Sequence, residues 1–140
     1  SYPVAYTFCA DGKKIAIATD MGTYSEYTVE NLKGMDSLLI EANHDVRMLQ
    51  VGPYPYPLKQ RILSDTGHLS NELSGRLISS ILNDNIDNIF RGHLSKENNL
   101  PELAYETVRV EIDMSDNKYR SNDFKIMVAK RDQMSQVVNL

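Results

Sequence analysis

The strongest constraint on the fold is the alternation between short apolar runs and segments with helical periodicity. The runs at 15–18 and 38–40 are long enough for strands, but far shorter than the roughly 20 apolar residues that span a bilayer. Between residues 70 and 83, apolar side chains instead recur at the helical period of 3.6 residues. Strands alternating with helices predict an α/β sandwich and exclude a membrane span.

Turn residues set the order of the elements. Asp11-Gly12 predicts a β-hairpin, and Pro53, Pro55 and Pro57 exclude a helix or a central strand from the run that contains them. Residues 108–112 alternate like a strand, but the helix start at Asn99, with Asn99 as N-cap and Glu102 as its partner, favours a helix to Asp113. We expect strands at 4–9, 14–19, 36–42, 86–92 and 124–129, and helices at 28–33, 45–50, 70–83 and 99–113.

Composition narrows the class of protein. The chain has 140 residues, 41% of them apolar, which suits one domain with a buried core. The net charge of −4 argues against a general basic face, so any contact with nucleic acid must be local. A single cysteine, Cys9, excludes an internal disulfide and favours the cytoplasm, and we expect it to be buried and inert. No leader pattern precedes Ser1, which is not Met, so we expect the true start to lie upstream.

The three histidines lie beside predicted element ends. His68 and His93 stand in a short repeat, Gly67-His68-Leu69-Ser70 and Gly92-His93-Leu94-Ser95. A preceding glycine lets backbone and ligand approach an imidazole closely, so metal ligation and ordinary hydrogen bonding are about equally favoured for this pair. For His44, the interpretation as a loop or capping residue is favoured.

Carboxylates supply the second half of a candidate site. Asp20 and Glu41 each follow an apolar run, at the ends of predicted strands. With His68 and His93 they give the oxygen and nitrogen ligands that divalent metals use. No spacing among them matches a compact metal motif, so the fold must supply the geometry.

Five segments together resemble a known family. They are 15–22 (IAIATDMG), 39–45 (LIEANHD), 52–61 (GPYPYPLKQR), 64–72 (SDTGHLSNE) and 92–95 (GHLS). In this order they resemble the C-terminal half of metallo-β-lactamase-fold hydrolases, nearest to the YycJ or WalJ branch of bacterial metal-dependent exonucleases that act from 5′ ends of double-stranded DNA. The resemblance implies that residues 1–140 form half of an αββα sandwich, a mixed sheet with helices on one face.

The resemblance also implies roles for the candidate residues. Asp20 matches the aspartate that bridges two divalent metals (Mn, Zn or Fe), and His93 matches a ligand of the second metal. Glu41 and His68 match a catalytic pair of the related tRNA-processing ribonucleases, in which the histidine protonates the departing oxygen. This chain departs from those ribonucleases at Asn43, where they have threonine, and at Leu69, where they have a small polar residue.

The family's main metal motif, His-x-His-x-Asp-His, belongs to the N-terminal half, and the chain has no histidine before His44. We therefore expect the chain alone to be inactive, to bind the two metals incompletely, and to associate with itself or with the missing half.

Three functions stay open. The leading one is a DNA exonuclease. The others are hydrolysis of a small thioester or lactam on the same fold, and a non-catalytic folding or assembly unit. Tyr54 and Tyr56, with Lys59 and Arg61, form either a contact for a nucleic-acid end or a structural loop, with equal weight.

Overall fold

The computed structural model describes residues 5–140, so Val4, the expected start of the first strand, lies outside the described residues. In this part of the chain, one five-stranded sheet has its strands in chain order. The first two strands pair antiparallel, and the others are parallel neighbours, so the sheet is mixed as expected. The strands are β1 (Ala5–Ala10), β2 (Lys13–Ala18), β3 (Ser37–Glu41), β4 (Asn88–Gly92) and β5 (Lys125–Val128).

Within residues 5–140, five α-helices connect or follow these strands: α1 (Glu26–Leu32), α2 (Val46–Val51), α3 (Tyr56–Ile62), α4 (Asn71–Ile81) and α5 (Pro101–Asp113). Side-chain oxygens of Ser25, Asp45 and Ser70 accept hydrogen bonds from the first turns of α1, α2 and α4, which explains where these helices begin. Across residues 5–140, none of the helices has the length and apolar content needed to cross a bilayer.

One face of the sheet carries the hydrophobic core. Strand side chains point alternately to the two faces, so Ala16, Leu38 and Ile89, which are neighbours in register, share one side and are fully buried. Apolar side chains of α1, α4 and α5 pack against this side: Leu32, Leu77, Ile78, Ile81, Val108 and Ile112. The expected mixed sheet with helices on one face is confirmed.

The opposite face of the sheet is apolar but only partly covered. A row of register partners crosses all five strands: Tyr6, Ile17, Leu39, Phe90 and Met127. Phe8 and Ile15 lie beside this row, and Phe8 is 55% exposed. We call these seven residues the open face. Apolar area of this kind usually packs against another surface.

Three local expectations were wrong. Helix α3 begins inside the proline run, because Pro57 stands in the first turn, where an N–H has no partner within the helix. Asn99 does not cap α5 with its side chain; its amide is buried and donates to the carbonyls of Ala42 and Asn43. Cys9 is exposed, since β1 is an edge strand with every residue exposed.

Candidate metal centre

The carboxyl ends of three parallel strands bring the predicted residues together. Asp20 follows β2, Glu41 ends β3, and His93 follows β4, so all three lie at one edge of the sheet. His68 reaches the same edge from the loop between α3 and α4. One potential ligand atom from each of the four lies within 4.8 Å of the others, and in the part of the chain that the structure describes no other group of three such residues does so.

Glu41 is the centre of this cluster. Its side chain is 0% exposed, and both of its oxygens accept hydrogen bonds that compensate for the burial. Oε1 accepts from Nδ1 of His68 and from Nδ1 of His93, each at 2.7 Å, and Oε2 accepts from the backbone N–H of Met21 at 3.1 Å. A single carboxylate oxygen therefore holds both imidazoles.

With Glu41 ionised, these contacts decide which nitrogen of each neutral ring carries the hydrogen. An ionised carboxylate only accepts hydrogen bonds, so each Nδ1 carries a hydrogen and each neutral ring keeps its lone pair on Nε2. A carboxylate bound to one ring nitrogen is the usual partner of a metal-ligating histidine. Asp20 adds a more exposed carboxylate, with Oδ1 at 3.8 Å and 3.9 Å from the two Nδ1 atoms. The donor set fits a divalent metal.

Backbone conformation marks the same place. Within residues 5–140, only Asp11, Asp20 and His93 are non-glycine residues with positive φ. Asp11 belongs to the predicted hairpin turn, while Asp20 (φ 59°) and His93 (φ 56°) belong to the cluster. The left-handed conformation costs a non-glycine residue about 1 to 2 kcal/mol, and such strain is concentrated at functional sites.

Two glycines allow the backbone around the His68 loop to pack closely. A Cβ on Gly67 would overlap the carbonyl oxygen of Ile62, and one on Gly22 would overlap the carbonyl oxygen of Ser64. The N–H of His68 also donates to the carbonyl of Ile62 at 3.1 Å. The loop is thereby packed against both the end of α3 and the segment that follows Asp20.

Asn43 has a positioning role that sequence reasoning missed. Its backbone N–H donates to the carbonyl of Leu69, its carbonyl accepts from the N–H of Ser95, and its side-chain amide donates to the carbonyl of His93. Asn43 thus joins the two Gly-His-Leu-Ser repeats. In the sequence it stood out only as a departure from the family pattern, since contacts across such separations leave no local signal.

A cavity of about 550 Å³ opens beside the cluster. Asp20, His68 and His93 line it, and so do Tyr54 and Arg61 from the tyrosine and basic set. The other two members of that set face elsewhere. Lys59 donates to the carbonyls of Gln50 and Gly52, and Tyr56 is 71% exposed outside the cavity.

His44 lies outside the four-residue cluster. It is 1% exposed, and neither ring nitrogen has a hydrogen-bond partner in the described residues. Burial, followed by the influence of His68, lowers the pKa of His44 from 6.5 to about 4, although Asp45 acts in the opposite direction. His44 is therefore a buried neutral imidazole rather than a side-chain helix cap.

The sequence of this chain is similar to those of known exodeoxyribonucleases. The chain is 46% identical over 106 residues to the exodeoxyribonuclease WalJ of Streptococcus pneumoniae, in strains D39 and R6. It is 40% identical over 106 residues to the exodeoxyribonuclease YycJ of Bacillus anthracis. The resemblance to the WalJ and YycJ branch is confirmed. These matches cover 76% of this chain but 39% of WalJ and 40% of YycJ, so the chain spans about two fifths of the length of its curated relatives.

The fold comparison agrees. The metallo-β-lactamase fold protein YhfI of Bacillus subtilis superposes with a TM-score of 0.59 at 14% identity. The alignment covers 90% of this chain and 41% of YhfI. The chain therefore has part of the metallo-β-lactamase fold. No family model matches the sequence.

The hydrogen bonds of Glu41 predict a tautomer switch. In metal-free protein at alkaline pH, both His68 and His93 should carry hydrogen on Nδ1. In Glu41→Gln, the amide oxygen should keep the bond from the N–H of Met21, which places the NH₂ group on the two imidazoles. That group can donate to both Nδ1 atoms only if each hydrogen moves to Nε2, which removes the lone pair that a metal would use. Long-range ¹H–¹⁵N correlation NMR distinguishes the two forms. Glu97→Gln, the same change at an exposed residue of the same cavity, should leave both rings as in the wild type.

The buried His44 predicts a loss of stability in acid. Its pKa is about 4 in the folded protein and 6.5 when unfolded, so the unfolded chain binds the extra proton first as the pH falls. Between pH 7 and pH 4 this costs about 3 kcal/mol of unfolding free energy. As the pH falls from 7 to 4, the free energy of unfolding of His44→Leu should rise by about 3 kcal/mol relative to that of the wild type. Denaturant unfolding measures this difference. A constant difference between the two proteins would contradict the assignment.

Proposed function

We propose that this chain is the C-terminal half of a metal-dependent exonuclease that acts on DNA. The observation that carries the proposal is the cluster at the strand ends, in which one buried carboxylate holds two imidazoles beside Asp20. The similarity to two proteins named exodeoxyribonuclease supports DNA as the substrate. The single exposed cysteine is compatible with a reducing cytoplasm as the place of the reaction.

Asp20 and His93 would hold the metal in this proposal. Two side chains cannot hold two ions, so the remaining ligands would come from an N-terminal half, and the present chain would bind metal incompletely and lack activity alone. When bound, divalent metals polarise the phosphodiester and lower the pKa of water to give a nucleophile at neutral pH.

His68 would act as the general acid. Its side chain is 30% exposed and lines the cavity, and because Nδ1 is bound to Glu41, Nε2 would be the nitrogen that meets a substrate. In its charged form the ring of His68 carries hydrogen on both nitrogens. As the bond between phosphorus and the departing oxygen breaks, that oxygen takes the Nε2 proton, and His68 is left neutral with its hydrogen on Nδ1. Glu41 orients the ring and stabilises its charged form.

The open face would receive the missing half. It is a continuous apolar row on the side of the sheet opposite the helices, the place where the second sheet of an αββα sandwich would pack. In the chain by itself, the same face would drive self-association.

The division between acid and ligands predicts different outcomes for different variants. In a chain extended to the length of the relatives and supplied with Mn²⁺, His68→Ala should slow DNA hydrolysis by roughly 10² to 10⁴ with metal content retained. Asp20→Ala and His93→Ala should lower metal content as well as rate. Adding Glu41→Ala to His68→Ala should slow hydrolysis further and lower metal content, since Glu41 also holds the ring of His93. Rate assays with elemental analysis test this, and loss of metal from His68→Ala would make His68 a ligand instead.

The open face predicts association of the 140-residue chain. Sedimentation at micromolar concentration should find dimers or larger species, and Tyr6→Lys with Phe8→Lys should shift them to monomer. Tyr27→Lys with Val51→Lys changes two exposed residues that are not part of the open face, at 79% and 86% exposure, and should leave association unchanged. A monomeric wild-type chain would argue against the role of the open face.

A further inference from the structure

Three cationic side chains line the cavity beside the carboxylate and imidazole cluster. They are Arg61 at the end of α3, Lys96 in the segment between β4 and α5, and Arg131 in the C-terminal segment. These segments are distant in sequence, and the chain as a whole is acidic, with a net charge of −4. Cations gathered at one cavity of an acidic protein indicate an anionic ligand.

We propose that Arg61, Lys96 and Arg131, with Tyr54, form a subsite that binds the phosphodiester backbone of a single DNA strand next to His68. The proposal rests on the proposed nuclease function and adds the residues that hold the substrate. Three cations also suit a DNA strand, with one negative charge per phosphate, better than a small thioester or lactam, which carries fewer negative charges.

The three cations are available for a ligand. Among the described residues, no carboxylate forms an ion pair with any of them. Arg131 donates one bond to the carbonyl of Leu94 at 3.0 Å, which fixes its position and leaves its other N–H groups available. The acidic residues of the cavity wall are Asp20, which belongs to the metal cluster, and Glu97.

Backbone contacts connect Arg61 to the candidate acid. The carbonyl of Arg61 accepts from the hydroxyl of Ser64 at 2.7 Å, and the carbonyl of the next residue, Ile62, accepts from the N–H of His68. Arg61 and His68 are therefore held at the two ends of one tight loop. A phosphate bound by Arg61 would lie next to the imidazole that protonates the departing oxygen.

Lys59 supports the aromatic wall of the subsite. Its ammonium group donates to the carbonyls of Gln50 and Gly52, each at 2.7 Å, and so fastens the start of the loop that carries Tyr54. Tyr54 is half-buried in the cavity wall and offers a ring on which a base or sugar can stack. The structure gives Lys59 a positioning role and leaves the direct contacts to Tyr54 and Arg61.

The size of the cavity favours one strand over a duplex. A volume of about 550 Å³ is typical of sites for small molecules, and it admits a nucleotide or two rather than a double helix. We therefore expect the strand end to separate from its partner on entering the cavity.

Binding without metal tests the proposal independently of catalysis. Fluorescence anisotropy would follow a fluorescein-labelled single-stranded DNA binding to the 140-residue chain in the presence of a chelator. Changing Arg61, Lys96 and Arg131 to Gln should weaken binding at least tenfold at low salt, and lower the slope of log affinity against log salt by about 2, since each strand phosphate contributes about 0.7. Changing Lys33, Lys118 and Lys125 to Gln removes the same charge from outside the cavity and should have a smaller effect on both.

Two further arms identify the ligand. Tyr54→Ala should lose about tenfold in affinity, whereas Tyr54→Phe should retain it. Inorganic phosphate at the same phosphate concentration should not displace the DNA.

Equal losses from both triple variants, displacement by inorganic phosphate, or no binding by the wild type would each overturn the subsite. Binding as expected, with no hydrolysis by the extended chain, would instead reject the proposed function and keep the subsite.

Discussion

The candidate site depends on one buried carboxylate. Glu41 is fully enclosed at the end of β3, and a charge in that position is tolerated only because three N–H groups bind it. Each of these donors belongs to a different segment, so the carboxylate joins the strand ends and the His68 loop into one unit. Removing it would leave two imidazoles and a backbone N–H without a partner, and the site would lose both its shape and its tautomers.

The loops around Glu41 are held by tertiary contacts rather than by the local conformational preferences of their residues. Gly22 and Gly67 allow backbone to approach backbone, and Asn43 bridges the two histidine loops. Asp20 and His93 remain in left-handed conformations that the surrounding contacts must offset. Strain at the two expected metal ligands, with full hydrogen bonding of Glu41 between them, suggests a site organised before any ligand arrives.

The two faces of the sheet differ in what they pack against. One face, packed with α1, α4 and α5, provides the stability of the domain, while the open face remains apolar and partly exposed. The site lies at the strand ends, between these two faces, so a second layer packed on the open face would reach it directly. This arrangement is the physical basis of the proposal that a chain two fifths the length of its relatives supplies half of a metal site.

The sequence by itself determined the alternation of strands and helices, the hairpin, the long α4 and α5, and the four residues of the cluster. Local periodicity, caps and apolar runs carry the information about the elements. Carboxylates at strand ends and two Gly-His pairs elsewhere in the chain can be recognised as possible metal ligands without coordinates. Only the tertiary structure decided that Glu41 holds both histidines, that Asn43 joins their loops, and that Tyr54 and Arg61 face the cavity while Lys59 does not. Those contacts join residues that are distant in the chain, and their energies depend on burial and register, which no local pattern encodes.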